Sequence, residues 1–241
     1  MAVILNIESA TGVCSVAIGR DGQMLSLKEI NEERTHAEVI TVFIETVLKE
    51  SGLKLKAIDA IAVSGGPGSY TGLRIGVSTA KGLCYALNKP LIAIPTLESM
   101  SYGVIDGYTK GLFKDKINDD APDELLFCPM IDARRMEVYT SFFDIDNHAV
   151  KDTSADVIQS DSYAEWFKNR RLLFFGDGSS KCKDVLSHQS KAIFLDYVLP
   201  SASTMILLSE DKFNHGLFED LAYYEPFYLK NFVATKAKEN T

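Results

Sequence analysis

Residues 3–30 read VILNIESATGVCSVAIGRDGQMLSLKEI, and this stretch decides the fold. Val3, Leu5 and Ile7 begin a strand, and Cys14, Val16 and Ile18 alternate along one face of a second. Asp21-Gly22 is a two-residue hairpin signal, because both residues tolerate the positive φ that such a turn demands, and Met24–Ile30 returns as a third strand. The chain thus opens with three consecutive strands, and the first runs out at an acid, Glu8.

Beyond that opening, Thr35-His36-Ala37-Glu38 has the form of a capping box, in which hydroxyl and carboxylate satisfy each other's orphan amides. The helix it predicts runs to about Glu50, with Gly52 as its stop. Ile58–Ser64 reads as a short buried strand. After the glycine-rich turn SGGPGSYTGLRIG (Ser64–Gly76), Leu73, Val77, Ala80, Leu83, Cys84 and Leu87 mark the stripe of a helix over Thr71–Leu87. Asn88-Lys89-Pro90 ends it, and Leu91–Ile94 is a further strand. The order β-β-β-α-β-α-β indicates a layered α/β domain.

A polar stretch, residues 108–124, separates this from a second start: Leu125–Ile131 as strand, a turn at Asp132-Ala133-Arg134, Glu137–Phe143 as strand, and another strand near Val150. Helices are expected near Ser162–Asn169 and Ser201–Phe213, with a strand at Leu172–Phe175 ending in Gly176-Asp177-Gly178. Ile7-Glu8-Ser9-Ala10 and Ile131-Asp132-Ala133 each place an acid where a first strand turns into a hairpin. Two hairpin-led halves are the architecture of the actin, hexokinase and Hsp70 ATPases: an α/β, duplicated actin-like fold with two mixed-sheet subdomains. The expected division is residues 1–105, residues 106–222, and a terminal segment 223–241 that is open to returning to the first subdomain.

The composition suits a globular α/β protein: 241 residues, 46% hydrophobic and 24% charged. A net charge of −8 argues against unaided tight binding of nucleic acid, and the pairs Arg134-Arg135 and Arg170-Arg171 read as solvated surface. Four cysteines lie far apart with no C-x-x-C, and Cys14, Cys84 and Cys128 sit among apolar neighbours, which suits a reducing compartment. The first residues lack the basic flank and length of a signal peptide, and no window reaches the length of a membrane span, so a cytoplasmic, membrane-free location is expected.

The glycine turn is neither a Walker loop, since Leu73 follows Gly72, nor G-x-G-x-x-G. Free amides at the helix start, with Arg74 in its first turn, could take an anion. The weightier reading is close packing: Gly72, Gly76 and Ala80 fall every fourth residue on one face and let a neighbouring helix approach. The preceding helix carries Val39, Phe43 and Val47 within an apolar arc wider than one stripe, and the two faces together suggest a partner interface. Glu8 and Asp132 are candidates to hold Mg²⁺ with a nucleotide, against the plainer reading that each caps a turn. The four histidines, His36, His148, His188 and His215, form no H-x-x-x-H pair, so no metal site is expected, and His36 reads as a surface residue. No catalytic constellation stands out.

From end to end the chain resembles the TsaB (YeaZ-type) family. The matching residues are Ile7-Glu-Ser-Ala-Thr11, Cys14-Ser-Val-Ala17, Gly66–Gly76, Pro95-Thr-Leu-Glu98, Asp132-Ala-Arg134 with Glu137-Val-Tyr139, Gly176-Asp-Gly178 and Pro226-Phe-Tyr-Leu-Lys-Asn231 ahead of Val233-Ala234. Glu8 stands where that family usually has Asp, and Lys230 where it usually has Arg. The resemblance implies the duplicated actin-like fold and a non-catalytic subunit that pairs with a catalytic paralogue, TsaD, through the two helices named above, or with itself as a homodimer. It also implies that a TsaE-type ATPase joins, with ATP or ADP and Mg near the subunit interface, and that tRNA is met through the complex. The metal-holding H-x-x-x-H of the paralogue is lacking here, since Ile40 follows His36 at that spacing. The alternatives are an independent ATPase or small-molecule kinase of the same fold, a metallopeptidase, against which the missing histidine pair speaks, and an RNA-binding module acting alone.

Overall fold

Apolar strands and the helices between them assemble into two lobes with the same wiring. The computed structural model describes residues 2–32, 36–117 and 123–230. In the first lobe, β1 (Val3–Glu8), β2 (Val13–Arg20) and β3 (Gln23–Asn31) form an antiparallel meander. Asp21 and Gly22 take the positive φ values, 49° and 71°, that their turn requires. α1 (His36–Glu50) leads to β4 (Ala60–Ser64), and α2 (Tyr70–Leu87) leads to β5 (Leu91–Ile94), both strands parallel to β1, giving the order β3-β2-β1-β4-β5. Gly52, at φ 67°, lets the α1 carboxyl end close on itself through Leu53 N–H to the Leu48 carbonyl. Thr35 of the predicted capping box lies outside the described residues.

The second lobe repeats the plan. β6 (Glu124–Asp132), β7 (Glu137–Phe143) and β8 (Ala149–Val157) are an antiparallel meander. α4 (Ala164–Phe167) precedes β9 (Arg170–Phe175), and α5 (Ser179–Leu186) precedes β10 (Ala192–Phe194), both parallel to β6. The order β10-β9-β6-β7-β8 is that of the first sheet, element for element. This duplication is the actin-like ATPase architecture expected from the two acid-ended hairpins.

The helix after each sheet crosses to the other lobe. α3 (Thr96–Thr109), which follows β5, buries Leu97, Met100, Val104 and Ile105 against Phe127, Ile131 and Phe175 of the second sheet. α6 (Ile206–Asn214) and the turn before it bury Met205 and Ile206 on Ile4, Ile92 and Ile94 of the first. The crossing is tight: an added Cβ on Gly103 would lie 2.5 Å from Thr204, and the Ser99 and Thr204 hydroxyls share a 2.7 Å hydrogen bond. A division at residue 105 therefore falls inside a helix. The other face of the first sheet is covered by α1 and α2, whose Ile40, Ile44, Val47, Val77 and Ala80 pack on Leu5, Ile7, Val16 and Val63.

Residues 217–230 then run back along the first lobe as a strap. Glu219 bridges the β5 edge at Leu91, Lys81 holds the Ala222 and Tyr224 carbonyls, and Phe227 N–H reaches the Gly65 carbonyl at 2.8 Å. No described helix is long and apolar enough to cross a membrane.

Candidate functional site

The corresponding strands β1 and β6 deliver their terminal acids to different environments. Glu8 is fully buried in a polar row with its register partner Ser15 and with Ser64, which lies next to it on β4. Its Oε1 accepts the Ala10 N–H at 2.6 Å, while Oε2 is buried with no partner among the described residues. Burial pushes its pKa up to about 7, against the opposing pull of the Ala10 N–H and the Ser64 hydroxyl. Asp132 is exposed: its Oδ1 takes the Arg134 N–H at 2.8 Å and pairs with Lys181, and its own N–H donates to Asp177 Oδ1 at 3.0 Å. Burial raises the Asp177 pKa, with the Asp132 N–H opposing.

The two acids therefore do not share an open surface. The group the fold family implies, a Mg-bound nucleotide, does not fit the first of them. One Glu8 oxygen is spent on its own loop and the carboxylate is sealed from solvent.

The glycine turn is closed in the same way. Ser69 caps α2 through its Oγ to Gly72 N–H at 3.3 Å, and its N–H donates to the Ala10 carbonyl at 2.6 Å. A Cβ on Gly68 would stand 2.3 Å from the Ala10 oxygen and one on Gly72 2.0 Å from the Ser9 oxygen, so the β1–β2 loop occupies the space an anion would need. This corrects the reading of the small-residue face. Gly72, Gly76 and Ala80 are buried, and the approach they permit is that of Ser9 and Val63 of their own lobe, with Ser9 Oγ donating to the Gly72 carbonyl at 2.9 Å. Val47 is likewise core, at 0% exposure.

What α1 and α2 turn outward lies one step round each helix. Val39 and Phe43 are half-buried, Val42 between them is 54% exposed, and on α2 Ile75, Thr79 and Leu83 are half-buried beside Gly82, whose surroundings are open. His36 is a second correction: it is buried, with Nε2 3.1 Å from the Val13 carbonyl, and Ile40 one turn on is core.

Arg74 is exposed. Its guanidinium lies 4.0 Å above the Tyr70 ring, and its Nε donates to the Tyr228 hydroxyl at 3.4 Å. Tyr70 and Tyr228 pack at 4.9 Å between centroids, so Arg74 fastens the strap to α2. Two residues further, Lys230 pairs with Glu137 at the start of β7, in the second lobe, so the strap spans both lobes. Lys181, Glu137 and Tyr228 were not legible as site residues, since their partners lie from 44 to 154 positions away in sequence.

Two sheets of identical order, linked by exchanged helices, define the chain as a protein of the actin-like ATPase fold. Its particular family follows from sequence. The family model described as "TsaD: tRNA N6-adenosine threonylcarbamoyltransferase" matches residues 26–238. The tRNA threonylcarbamoyladenosine biosynthesis protein TsaB of Escherichia coli is 31% identical over 97% of this chain and 96% of its own length. A tRNA N6-adenosine threonylcarbamoyltransferase of Clostridium kluyveri is 37% identical over 39% of this chain and 33% of its own. The solved structure of YeaZ from Pseudomonas aeruginosa superposes with a TM-score of 0.76 at 24% identity, covering 95% of this chain and all of the other. The chain belongs to the TsaB (YeaZ-type) family.

Proposed function

We propose that this chain is a non-catalytic partner subunit in tRNA threonylcarbamoyladenosine biosynthesis. It pairs with a TsaD-type catalytic paralogue, on which threonylcarbamoyl passes from threonylcarbamoyl-AMP to N6 of adenosine 37, and a TsaE-type ATPase joins the assembly. Without the paralogue it forms a homodimer. Any ATP or ADP with Mg sits near the subunit interface, since the Glu8 end of its own cleft is filled by its own loop.

The observation that carries this reading is the outward apolar face of α1 and α2. A 54% exposed Val42, with half-buried Val39 and Phe43 on the same helix and half-buried Ile75 and Leu83 on α2, is apolar surface that association would remove from water. The inward-turned His36 and the core position of Ile40 support the non-catalytic part, because the i, i+4 histidine pair that would hold metal has no counterpart here.

Light scattering on a sizing column tests the pairing. The chain mixed with its cognate TsaD-type paralogue should elute as a heteromer of summed mass, and Val42→Asp should leave both proteins folded but separate. Pairing of Val42→Asp at wild-type strength would place the interface elsewhere.

A further inference from the structure

The molecule is acidic overall, yet one rim gathers cations from separate elements. Arg134 and Arg135 form the tip of the β6–β7 hairpin, both exposed, and among the described residues neither guanidinium has a partner. Their backbones stand at φ 70° and 49°, the left-handed region that this turn would more cheaply give to Asn or Gly. The hairpin keeps two arginines there at a cost in backbone strain.

Beside the tip, Lys181 of α5 reaches Asp132 and the Glu137 carbonyl, and Lys230 of the strap reaches Glu137. Three residues back along the strap, a distance of at most about 11 Å, Phe227 lies on the glycine turn, and Tyr228 packs at a tilt against Tyr70 beside Arg74. Tyr223 and Phe227 on the same strap are 85% and 51% exposed. The Lys230–Glu137 pair ties the hairpin that carries the unpaired arginines to the strap that carries the exposed rings. Cations and rings on one surface suit single-stranded or looped RNA, with phosphates on the cations and bases stacked on the rings.

We infer that the rim formed by the Arg134-Arg135 hairpin and the 223–230 strap is an RNA-binding surface, contacting phosphates of the tRNA through the hairpin and unstacked bases through the strap. The inference rests on the tRNA-modification role proposed above but not on pairing with the paralogue. It is tested on the chain alone, so its failure leaves the pairing result intact.

The experiment is fluorescence anisotropy of a labelled, unmodified tRNA transcript with the full chain, over roughly 50 to 200 mM salt. Arg134→Glu/Arg135→Glu should weaken binding roughly tenfold and lower the slope of log affinity against log salt by about two. Arg134→Asn/Arg135→Asn, which removes the charges while suiting the left-handed backbone, should lower the slope equally. The comparison variant is Lys54→Glu/Lys56→Glu, an identical charge change on exposed residues beside β4 of the first lobe, and it should bind nearly as the wild type does. Equal loss in the two Glu pairs, an unchanged slope in the hairpin variants, or no binding by the wild-type chain would each overturn the inference. So would displacement of the RNA by millimolar Mg-ATP in an Arg134-dependent way, which would make the rim a nucleotide site.

Discussion

Replacing Gly72 by Ala puts one methyl group where the structure has no room. The new Cβ would sit 2.0 Å from the Ser9 carbonyl oxygen, and neither atom can rotate away, since the helix backbone fixes the Cβ and the oxygen is itself backbone. The β1–β2 loop has to retreat by about 1.5 Å before the pair reaches an ordinary separation of roughly 3.5 Å. That retreat stretches two bonds that join loop and helix, Ser9 Oγ to the Gly72 carbonyl at 2.9 Å and Ser69 N–H to the Ala10 carbonyl at 2.6 Å. Overpacking costs about 1–3 kcal/mol and each weakened bond about 1 kcal/mol, while alanine returns at most about 1 kcal/mol of helix propensity. The net loss is about 2–4 kcal/mol, a fall in Tm of about 10 °C for a chain of this size. Gly82 on the same helix is the internal comparison, because a Cβ there meets nothing within 4 Å, and Gly82→Ala should gain about 0.5–1 kcal/mol. Urea denaturation of the two variants reads the difference directly. A Gly72→Ala chain as stable as the wild type would refute the close approach of loop and helix, and with it the lack of room for an anion at the glycine turn.

Two further outcomes follow from burial. Glu8 has its folded pKa raised to about 7 from 4.5, so the folded state holds the proton more tightly than the unfolded chain does. Its contribution is fully present below pH 4.5 and is lost as pH rises through 7. Glu8→Gln should therefore gain on the wild type by up to about 3 kcal/mol between pH 4.5 and pH 8, and a stability difference independent of pH would contradict the burial of an ionisable carboxyl there. The four cysteines are free and buried, and burial pushes the thiols up, Cys14 to about 11 and Cys84 to about 12. A thiol reagent at pH 8 should label none of them within minutes in the native chain and all four after denaturation; rapid native labelling would show the lobes opening.

The duplicated plan was legible because each lobe declares itself with period-two strands, a turn signal and an acid at the end of its first strand. α3 was not foreseen. Its sequence, TLESMSYGVIDGYT, is rich in serine and glycine because it is wedged between the lobes, with Gly103 admitting Thr204 and Gly107 admitting Phe113. Those small residues mask the apolar stripe. β10 has only three residues, all half-buried, which is too short for a periodic signal. The stripe Gly72-Gly76-Ala80 announced close contact correctly, but spacing along one helix cannot tell a neighbour's loop from a partner's helix. His36 read as surface because a first-turn histidine offers no periodic clue, and its hydrogen bond to Val13 spans 23 residues. The strap was the least readable part: Arg74 meets Tyr228 only after the chain has built both lobes and come back.

The role proposed for this chain requires that it enable transfer of threonylcarbamoyl without performing it. The direct measurement is incorporation of labelled threonine into unmodified tRNA, supplied with threonylcarbamoyl-AMP, by the chain alone, by the TsaD-type paralogue alone, and by the two together with the TsaE-type ATPase. A non-catalytic subunit should give no incorporation alone, strong incorporation in the assembly, and loss of that activity when Val42→Asp replaces the wild-type chain. Turnover by this chain alone, or an assembly equally active without it, would rule that role out.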